Sequence, residues 1–246
     1  MLAAVLSLLG APQATAEETG RLRVAHLSPD TPTVDVAVAP LPAGSTGPLT
    51  DPGPDLETDL AYGTVGELAE LPPGSYAVSV RRAGAPPDTA PVLSARVDLP
   101  PGGIRTVTIS GRFADLALHT LSDDLSAPPA GAARVRVLAA AAEVGALDVA
   151  VRGGPSLGSA LPFGAAGEPT IVPAGPASLT VAGHGEPAEV PVEFAAGSVV
   201  TLLVLDDGEG AWTSAPSSTR PDRRSSPPAR SRPAPAGRPG RRRSSR

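Results

Sequence analysis

The sequence contains no cysteine, so disulfide bonds, thiolate catalysis and cysteine-ligated metals are excluded. It also contains neither lysine nor asparagine, whereas arginine, alanine, glycine and proline are abundant. This amino-acid composition is typical of a bacterial genome of high G+C content, so the use of arginine instead of lysine does not indicate a function. Aromatic residues are scarce, with three Phe, two Tyr and one Trp in 246 residues. Because rings bury more area than small aliphatic side chains, we expect thin cores of Val, Leu and Ala.

Long apolar runs are absent as well. No stretch reaches 18 apolar residues, so the sequence predicts no membrane span. Residues 2–9 form a short apolar run, which Ala14, Thr15 and Ala16 follow as a small-x-small cleavage pattern. We therefore predict a signal peptide over 1–16, cleavage near Ala16, and a secreted, extracellular or cell-wall location. The basic segment that normally precedes the apolar run is missing, so we expect the true start codon to lie upstream.

The sequence repeats itself. Residues 21–38 align without a gap on 134–151, residues 60–80 on 161–181, and residues 97–109 on 192–204. The offset falls from 113 to 101 to 95, which indicates shorter loops in the second copy. Because each copy has the size of a typical domain, the repeat predicts two tandem domains, at 17–127 and 132–212.

Short alternating patterns predict β-strands in both copies. In the first copy they cover residues 21–25, 34–38, 76–80, 92–99, 105–110 and 116–121, and the second copy repeats them from 134 to 205. Pro-Pro-Gly sequences at 72–74 and 100–102 predict turns. Residues 65–71 carry a helical hint that is too short to predict a helix. We expect an all-β protein of two tandem immunoglobulin-like antiparallel β-sandwich domains, with a disordered C-terminal tail.

The first copy opens with His26-Leu27-Ser28-Pro29-Asp30 and continues with Val34-Asp35-Val36 and, later, Leu-Pro-Pro-Gly-Ser-Tyr at 71–76. This series resembles the secreted bacterial family called domain of unknown function 4397. The resemblance implies an exported or surface-displayed β module, often present in tandem, with no assigned activity. The second copy departs from the pattern, because residues 139–143 read AAAAE where the first copy reads HLSPD. Any site built on the motif would therefore exist once.

The opening motif offers one candidate site, formed by His26, Ser28, Pro29, Asp30 and Asp35. The residue types invite a catalytic triad or a metal site. However, Pro29 ends the strand and sends Asp30 into a turn. We therefore predict a structural turn in which Ser28 and Asp30 bond backbone amides and His26 packs beside them.

A second pattern resembles a hydrolase motif. Residues 154–158 match Gly-x-Ser-x-Gly around Ser156. Glu168 and His184 follow, in the chain order nucleophile, acid and histidine that α/β-hydrolases have. A nucleophile elbow needs a strand before it and a helix after it, whereas this segment is rich in Pro and Gly. The three histidines are scattered along the chain, which does not suggest a ligand cluster. We predict no catalytic, metal or cofactor site and therefore no enzyme.

Acidic residues dominate the two copies. Residues 17–212 hold 10 Arg and 24 Asp or Glu, a formal charge of −14. Asp51, Asp55, Glu57 and Asp59 crowd one predicted loop, whose spacing matches no Ca²⁺-binding template. We expect a solvated acidic loop that the second copy has lost.

The C-terminal segment, 213–246, holds 10 Arg and one Asp among Ser, Pro, Ala and Gly. One interpretation is a disordered basic tail that could bind anionic wall polymers or nucleic acid. The other is a frameshift, because reading the codons from Ala211 onward one base earlier permits a strand that aligns on residues 116–123. On that hypothesis the second copy lacks its last strand as written and melts before the first. No nucleic-acid partner is then expected.

Taken together, the sequence favours a non-catalytic secreted or cell-envelope binding module. Its partner is not specified by the sequence, and a cell-wall polymer or another envelope protein fits best. The alternative is a structural spacer at the cell surface. A hydrolase or metal-dependent enzyme is the third and most distant function class.

Overall fold

The computed structural model describes residues 18–46 and 53–206, and the backbone of 212–219. Eight strands belong to the first copy: β1 (Gly20–His26), β2 (Val34–Leu41), β3 (Asp55–Leu60), β4 (Ala69–Leu71), β5 (Gly74–Arg82), β6 (Leu93–Leu99), β7 (Ile104–Ser110) and β8 (Ala117–Ser122). Eight more follow: β9 (Ala132–Ala140), β10 (Leu147–Val151), β11 (Ser156–Leu161), β12 (Thr170–Pro173), β13 (Gly175–Ala182), β14 (Ala188–Phe194), β15 (Val199–Asp206) and β16 (Trp212–Thr219). A single 3₁₀ turn, Phe113–Asp115, lies between β7 and β8 in the described chain.

The strands form four sheets in two sandwiches with the same strand order. The first sandwich pairs the sheet β4-β1-β7-β8 with the sheet β3-β2-β5-β6, and the second pairs β12-β9-β15-β16 with β11-β10-β13-β14. The predicted all-β, immunoglobulin-like sandwich class is confirmed. One strand pair in each sandwich is parallel, β1 with β7 in the first and β9 with β15 in the second. The chain visits the opposite sheet between those strands, and such a long crossover permits parallel pairing.

Two strands of the first sandwich are missing from the sequence-based prediction. The acidic segment expected to be a loop is the strand β3, and the helical hint at 65–71 ends in the short strand β4. The second copy has not lost this segment, because β11 takes the place of β3 without its acidic residues. Asp51 lies outside the described residues.

Each sandwich encloses its own core of small aliphatic side chains. The first core contains, among others, Leu22, Val24, Val36, Val78, Val80, Val107 and Ile109. The second contains the equivalent strand positions, among them Val135, Val137, Val149, Leu179, Val181, Leu202 and Val204. One ring completes each core, Tyr76 in the first and Phe194 in the second. These positions alternate along their strands, as period-two patterning requires.

The opposite faces of β1, β9 and β15 form a third buried cluster, through which the two sandwiches pack together. Its members are Ala25, Leu27, Leu138, Ala140, Leu203 and Leu205. Tyr62 crosses this interface, since its hydroxyl donates to the Ala140 carbonyl at 3.0 Å and accepts from the Asp206 amide at 3.0 Å. Burial raises the pKa of Tyr62 to about 12, so the hydroxyl stays protonated at neutral pH.

A buried carboxylate binds arginines from both sandwiches beside this cluster. Asp123 accepts hydrogen bonds from Arg23 at 3.1 Å and from Arg136 at 2.7 Å, and its side chain is 2% exposed. Thr106 also donates to Asp123, at 2.6 Å. Burial lowers the pKa of Arg23, and the Asp123 charge opposes that shift. Arg23 on β1 and Arg136 on β9 occupy corresponding strands of the two sandwiches, and both bind the single carboxylate of Asp123.

The last strand of the second sandwich differs from the expectation. We predicted that this strand is missing, whereas the backbone of β16 pairs with β15 from Trp212 opposite Asp206 to Thr219 opposite Val199. An edge strand needs only main-chain groups to pair, and an edge position tolerates a proline such as Pro216. The predicted tail therefore begins inside a strand. Residues 220–246 and the predicted signal peptide, 1–16, lie outside the described residues.

Replacing Asp123 tests the coupling of the two sandwiches. Removing one partner of a buried ion pair leaves buried charge without compensation, so Asp123→Ala should lower the free energy of unfolding by about 3–5 kcal/mol. Asp124→Ala is the matched control, because the half-exposed Asp124 pairs with Arg134 at the surface and should contribute less than about 1 kcal/mol. Denaturant unfolding measures both variants. Equal losses would contradict the proposed importance of Asp123.

Candidate functional site

The candidate motif lies at one end of the first sandwich, where the chain leaves β1 and enters β2. His26 is the last residue of β1, and Asp35 is the second residue of β2. His26 and Ser28 are completely buried, whereas Asp30 is exposed. The motif therefore folds its polar residues inward and leaves one carboxylate at the surface.

Both ring nitrogens of His26 contact the backbone of the turn. The amide of Ser28 donates to Nδ1 at 3.3 Å, so the proton is assigned to Nε2, which donates to the Pro32 carbonyl at 3.2 Å. Burial lowers the pKa of His26, and the hydrogen bond to Pro32 opposes the shift in part. The ring is accordingly neutral at pH 7 and spans the turn from β1 to Pro32.

The hydroxyl of Ser28 is engaged by the turn rather than by the histidine. It lies 2.7 Å from the Thr31 hydroxyl and donates to Asp30 at 3.3 Å. The same Asp30 oxygen accepts a hydrogen bond from the amide of Phe113, 83 residues away, at 2.9 Å. We predicted that Asp30 caps its own turn, and the structure instead shows it binding the loop between β7 and β8. Within the described residues, Ser28, His26 and Asp30 do not form the hydrogen-bond chain of a catalytic triad.

Asp35 is separate from the rest of the motif. Its two carboxylate oxygens accept hydrogen bonds from the amides of Asp59 and Gly84, each at 2.9 Å. Asp59 has a φ of 53°, a left-handed conformation that is unusual for a non-glycine residue. The second copy repeats the arrangement, because Asp148 accepts from the amide of Ala160 at 2.9 Å and Ala160 has a φ of 47°. This aspartate fixes an irregular strand pairing in both copies.

The motif turn forms one wall of a surface pocket of about 520 Å³. The other walls come from the starts of β6 and β8 and the end of β5, and the lining residues are Thr31, Pro32, Thr33, Val34, Arg82, Val92, Leu93, Phe113, Ala114 and Leu116. Val92 and Phe113 are each 67% exposed, which is unusual for large apolar side chains in this chain. Asp30 holds the backbone of Phe113, so the motif positions an exposed ring at the pocket.

Sequence reasoning missed this pocket, although one signal was available. Phe113 is one of six aromatic residues, and it stands between Arg112 and Ala114 in a segment between two predicted strands. Contiguous exposed apolar surface marks interaction sites, and the structure shows that Phe113 shares such a surface with Val92.

The other patterns do not converge on a site. Ser156 is the first residue of the strand β11, and the next element of the chain is the strand β12 rather than a helix. The strand–turn–helix context of a hydrolase nucleophile is therefore lacking here. His119 lies exposed on β8, and His184 lies against Gly145 in a loop of the second sandwich. Among the described residues, no group of three or more His, Asp or Glu is placed to hold a metal ion. No described helix is long and apolar enough to cross a membrane.

The fold and the motif define the class of protein: an all-β sandwich protein whose first sandwich carries a distinctive turn between β1 and β2. The chain belongs to the family described as Domain of unknown function (DUF4397), whose sequence model matches residues 20–150. This match covers the first sandwich and the first two strands of the second. No curated protein matches the sequence.

Three solved structures match the chain at low sequence identity and low TM-score. The Bacillus anthracis TIE protein is 12% identical with a TM-score of 0.24; the match covers 77% of this chain, which spans about a third (34%) of that protein. A candidate cell adhesion protein from Bacteroides uniformis is 10% identical with a TM-score of 0.26, over 82% of this chain and 97% of that one. CBMbc of family CBM26, from Eubacterium rectale Amy13K in complex with maltoheptaose, is 11% identical with a TM-score of 0.24, over 81% and 96%.

Replacing Asp30 tests its hydrogen bond to Phe113. Asp30→Ala should lower the free energy of unfolding by about 0.5–2 kcal/mol, the range for losing a capping bond to a backbone amide. Asp88→Ala is the control, because Asp88 is equally exposed and makes no such bond in the described structure. Thermal unfolding compares them, and an unchanged melting temperature for Asp30→Ala would contradict the assignment.

The buried His26 predicts a dependence of stability on pH. Because its pKa is lowered in the folded state, the unfolded chain binds more protons once the pH falls below the ordinary value of 6.5. Stability should be full above pH 6.5 and should decrease as the pH falls from 6.5 towards the folded-state pKa. Melting temperatures between about pH 5.5 and 7.5 measure the effect, above the range in which most carboxylates titrate. His26→Gln removes the titrating group, so its melting temperature should vary less over this range than that of the wild type.

Proposed function

We propose that the protein is an exported, non-catalytic binding module of the bacterial cell envelope, and that the pocket beside Phe113 is its binding site. The observation that carries the proposal is the link between the family motif and the pocket. His26 and Ser28 order the turn, Asp30 extends from it to the amide of Phe113, and the ring lies exposed at the pocket. The turn therefore contacts the β7–β8 loop beside the pocket and not only its own backbone.

The size and lining of the pocket support ligand binding. Pockets for small ligands commonly measure about 300–1,000 Å³ and combine apolar walls with a few polar groups. The pocket of about 520 Å³ has seven apolar lining residues, two threonines and one arginine. A catalytic role for Thr31 or Thr33 would need a base to activate the hydroxyl, and no carboxylate or histidine is among the residues that line the pocket.

The second sandwich has a different role in this proposal. We propose that the chain is a tandem of one unit and that its second copy is a degenerate one that braces the first. Residues 139–143 lack the motif, and Asp206 instead binds the amides of Ala142 and Glu143, at 2.6 and 3.1 Å. The buried Asp123 network and Tyr62 join this second copy to the first.

Export is part of the proposal. The predicted signal peptide with cleavage near Ala16, and the resemblance to secreted proteins, support a binding site outside the cytoplasm. The partner is then a cell-wall polymer or another envelope protein. A structural spacer at the surface is the second candidate function, which the buried interface between the two sandwiches favours. A hydrolase or metal-dependent enzyme remains the third.

Retention on envelope fractions tests the proposal. The protein beginning at Glu17 should co-sediment with cell-wall or membrane fractions of a related high-G+C bacterium, and Phe113→Ala should reduce the bound fraction at least fivefold. Ile171→Ala is the matched control, since Ile171 is also an exposed large apolar residue but lies on β12 of the second sandwich.

The outcomes separate the three functions. Equal retention of the wild type and Phe113→Ala would remove the pocket from the binding surface and favour the spacer. Turnover of wall polymers or of a hydrolase panel by the purified protein, or a stoichiometric bound metal, would favour an enzyme.

A further inference from the structure

The pocket beside Phe113 has one charged lining residue, and this residue determines what the pocket can recognise. Seven of its ten lining residues are apolar, Thr31 and Thr33 add hydroxyl groups, and Arg82 adds a guanidinium. No acidic residue lines it. The first copy as a whole, residues 17–127, holds 7 Arg against 15 Asp or Glu. The pocket lining is therefore formally positive, whereas residues 17–127 as a whole are formally negative.

Arg82 is available for a ligand, unlike its neighbour in the sequence. Arg81 is buried, pairs with Asp55 and donates to the Pro87 carbonyl at 2.6 Å. Arg82 is exposed at the end of β5, and within the described part of the chain its side chain has neither a hydrogen bond nor an ion pair. Consecutive residues of a strand point to opposite faces. Arg81 therefore contacts the β5–β6 loop at Pro87, whereas Arg82 points to the other face of the strand.

An unpaired guanidinium next to apolar walls suits an anionic group on an apolar body. Arginine binds a carboxylate through two parallel hydrogen bonds, and such charge-assisted bonds are stronger beside low-dielectric surfaces than in open water. An aliphatic chain that covers the exposed faces of Val92 and Phe113 would be stabilised, since burial of apolar surface from water is favourable.

We infer that the pocket binds an aliphatic carboxylate, with the chain between Val92 and Phe113 and the carboxylate on Arg82. This inference rests on the proposed function, because it assigns a ligand class to the same pocket. An unbranched acyl chain with a terminal carboxylate satisfies both the apolar walls and the single cation. A neutral sugar would leave the guanidinium without an ionic partner, and a cation would be repelled by it.

Calorimetric titration of the full chain with octanoate and with 1-octanol tests the inference, because the two probes share the chain and differ in charge. The wild type should bind octanoate at least tenfold more tightly than 1-octanol. Arg82→Gln should abolish that preference while leaving 1-octanol binding within twofold, and Phe113→Ala should weaken both probes. Arg96→Gln is the matched control, since Arg96 is an exposed arginine on β6 outside the pocket lining. Melting temperatures verify that each variant is folded.

Each other outcome overturns a defined part. If the two probes bind equally, or Arg82→Gln changes nothing, the carboxylate assignment is wrong. If neither probe binds although retention on envelope fractions still depends on Phe113, the ligand class is wrong and the proposed function stands. If neither probe binds and retention is independent of Phe113, both are wrong.

Discussion

The arrangement of the two sandwiches depends on one buried carboxylate. Asp123 lies at the end of β8 and binds Arg23 of the first sandwich and Arg136 of the second, with all three side chains less than 10% exposed. Charges removed from water are tolerated only when their partners are held in good geometry. The positions of β1, β8 and β9 are therefore not independent, and the apolar cluster around Leu138 and Leu203 joins the same two sandwiches. Two sandwiches that could have been joined by a linker alone share a buried surface instead.

The same segment of each copy contributes to that surface, but with different chemistry. Gly63 approaches Leu205 of the second sandwich, and its counterpart Gly164 approaches Ser110 of the first. Each glycine has a positive φ, and an added Cβ would lie 2.9 Å and 3.1 Å from those side chains. This near-symmetry is that of an isologous contact, in which each partner presents the same patch. The hydroxyl of Tyr62 breaks the symmetry, because the second copy has Phe163 at that position and can make no such bond.

The class of fold could be predicted from the sequence, whereas the edge strands β3 and β4 could not. Alternating valines predict β2 and β5 because burial on one face imposes period two. The strand β3 escaped prediction because its acidic residues are used in pairing and capping, as Asp55 with Arg81 and Glu57 with the Glu67 amide show. The parallel pairing of β1 with β7 is a tertiary property that local patterning does not encode. At the site, His26, Ser28 and Asp30 were identified as one turn, but their distant partner Phe113 and the nearby Arg82 depend on how three separate strands end.

The comparison of the two sandwiches supports the proposal that the motif turn serves more than the fold. In the first copy a carboxylate on the β1–β2 loop, Asp30, binds an amide of the β7–β8 loop. In the second copy a carboxylate at the end of β15, Asp206, binds amides of the β9–β10 loop, Ala142 and Glu143. Both copies thus join equivalent loops by a carboxylate–amide contact, in opposite directions. Since either direction closes the sandwich, closure alone does not require the HLSPD sequence. In the first sandwich the contact between Asp30 and the Phe113 amide also positions the exposed Phe113 ring in the same pocket as Arg82.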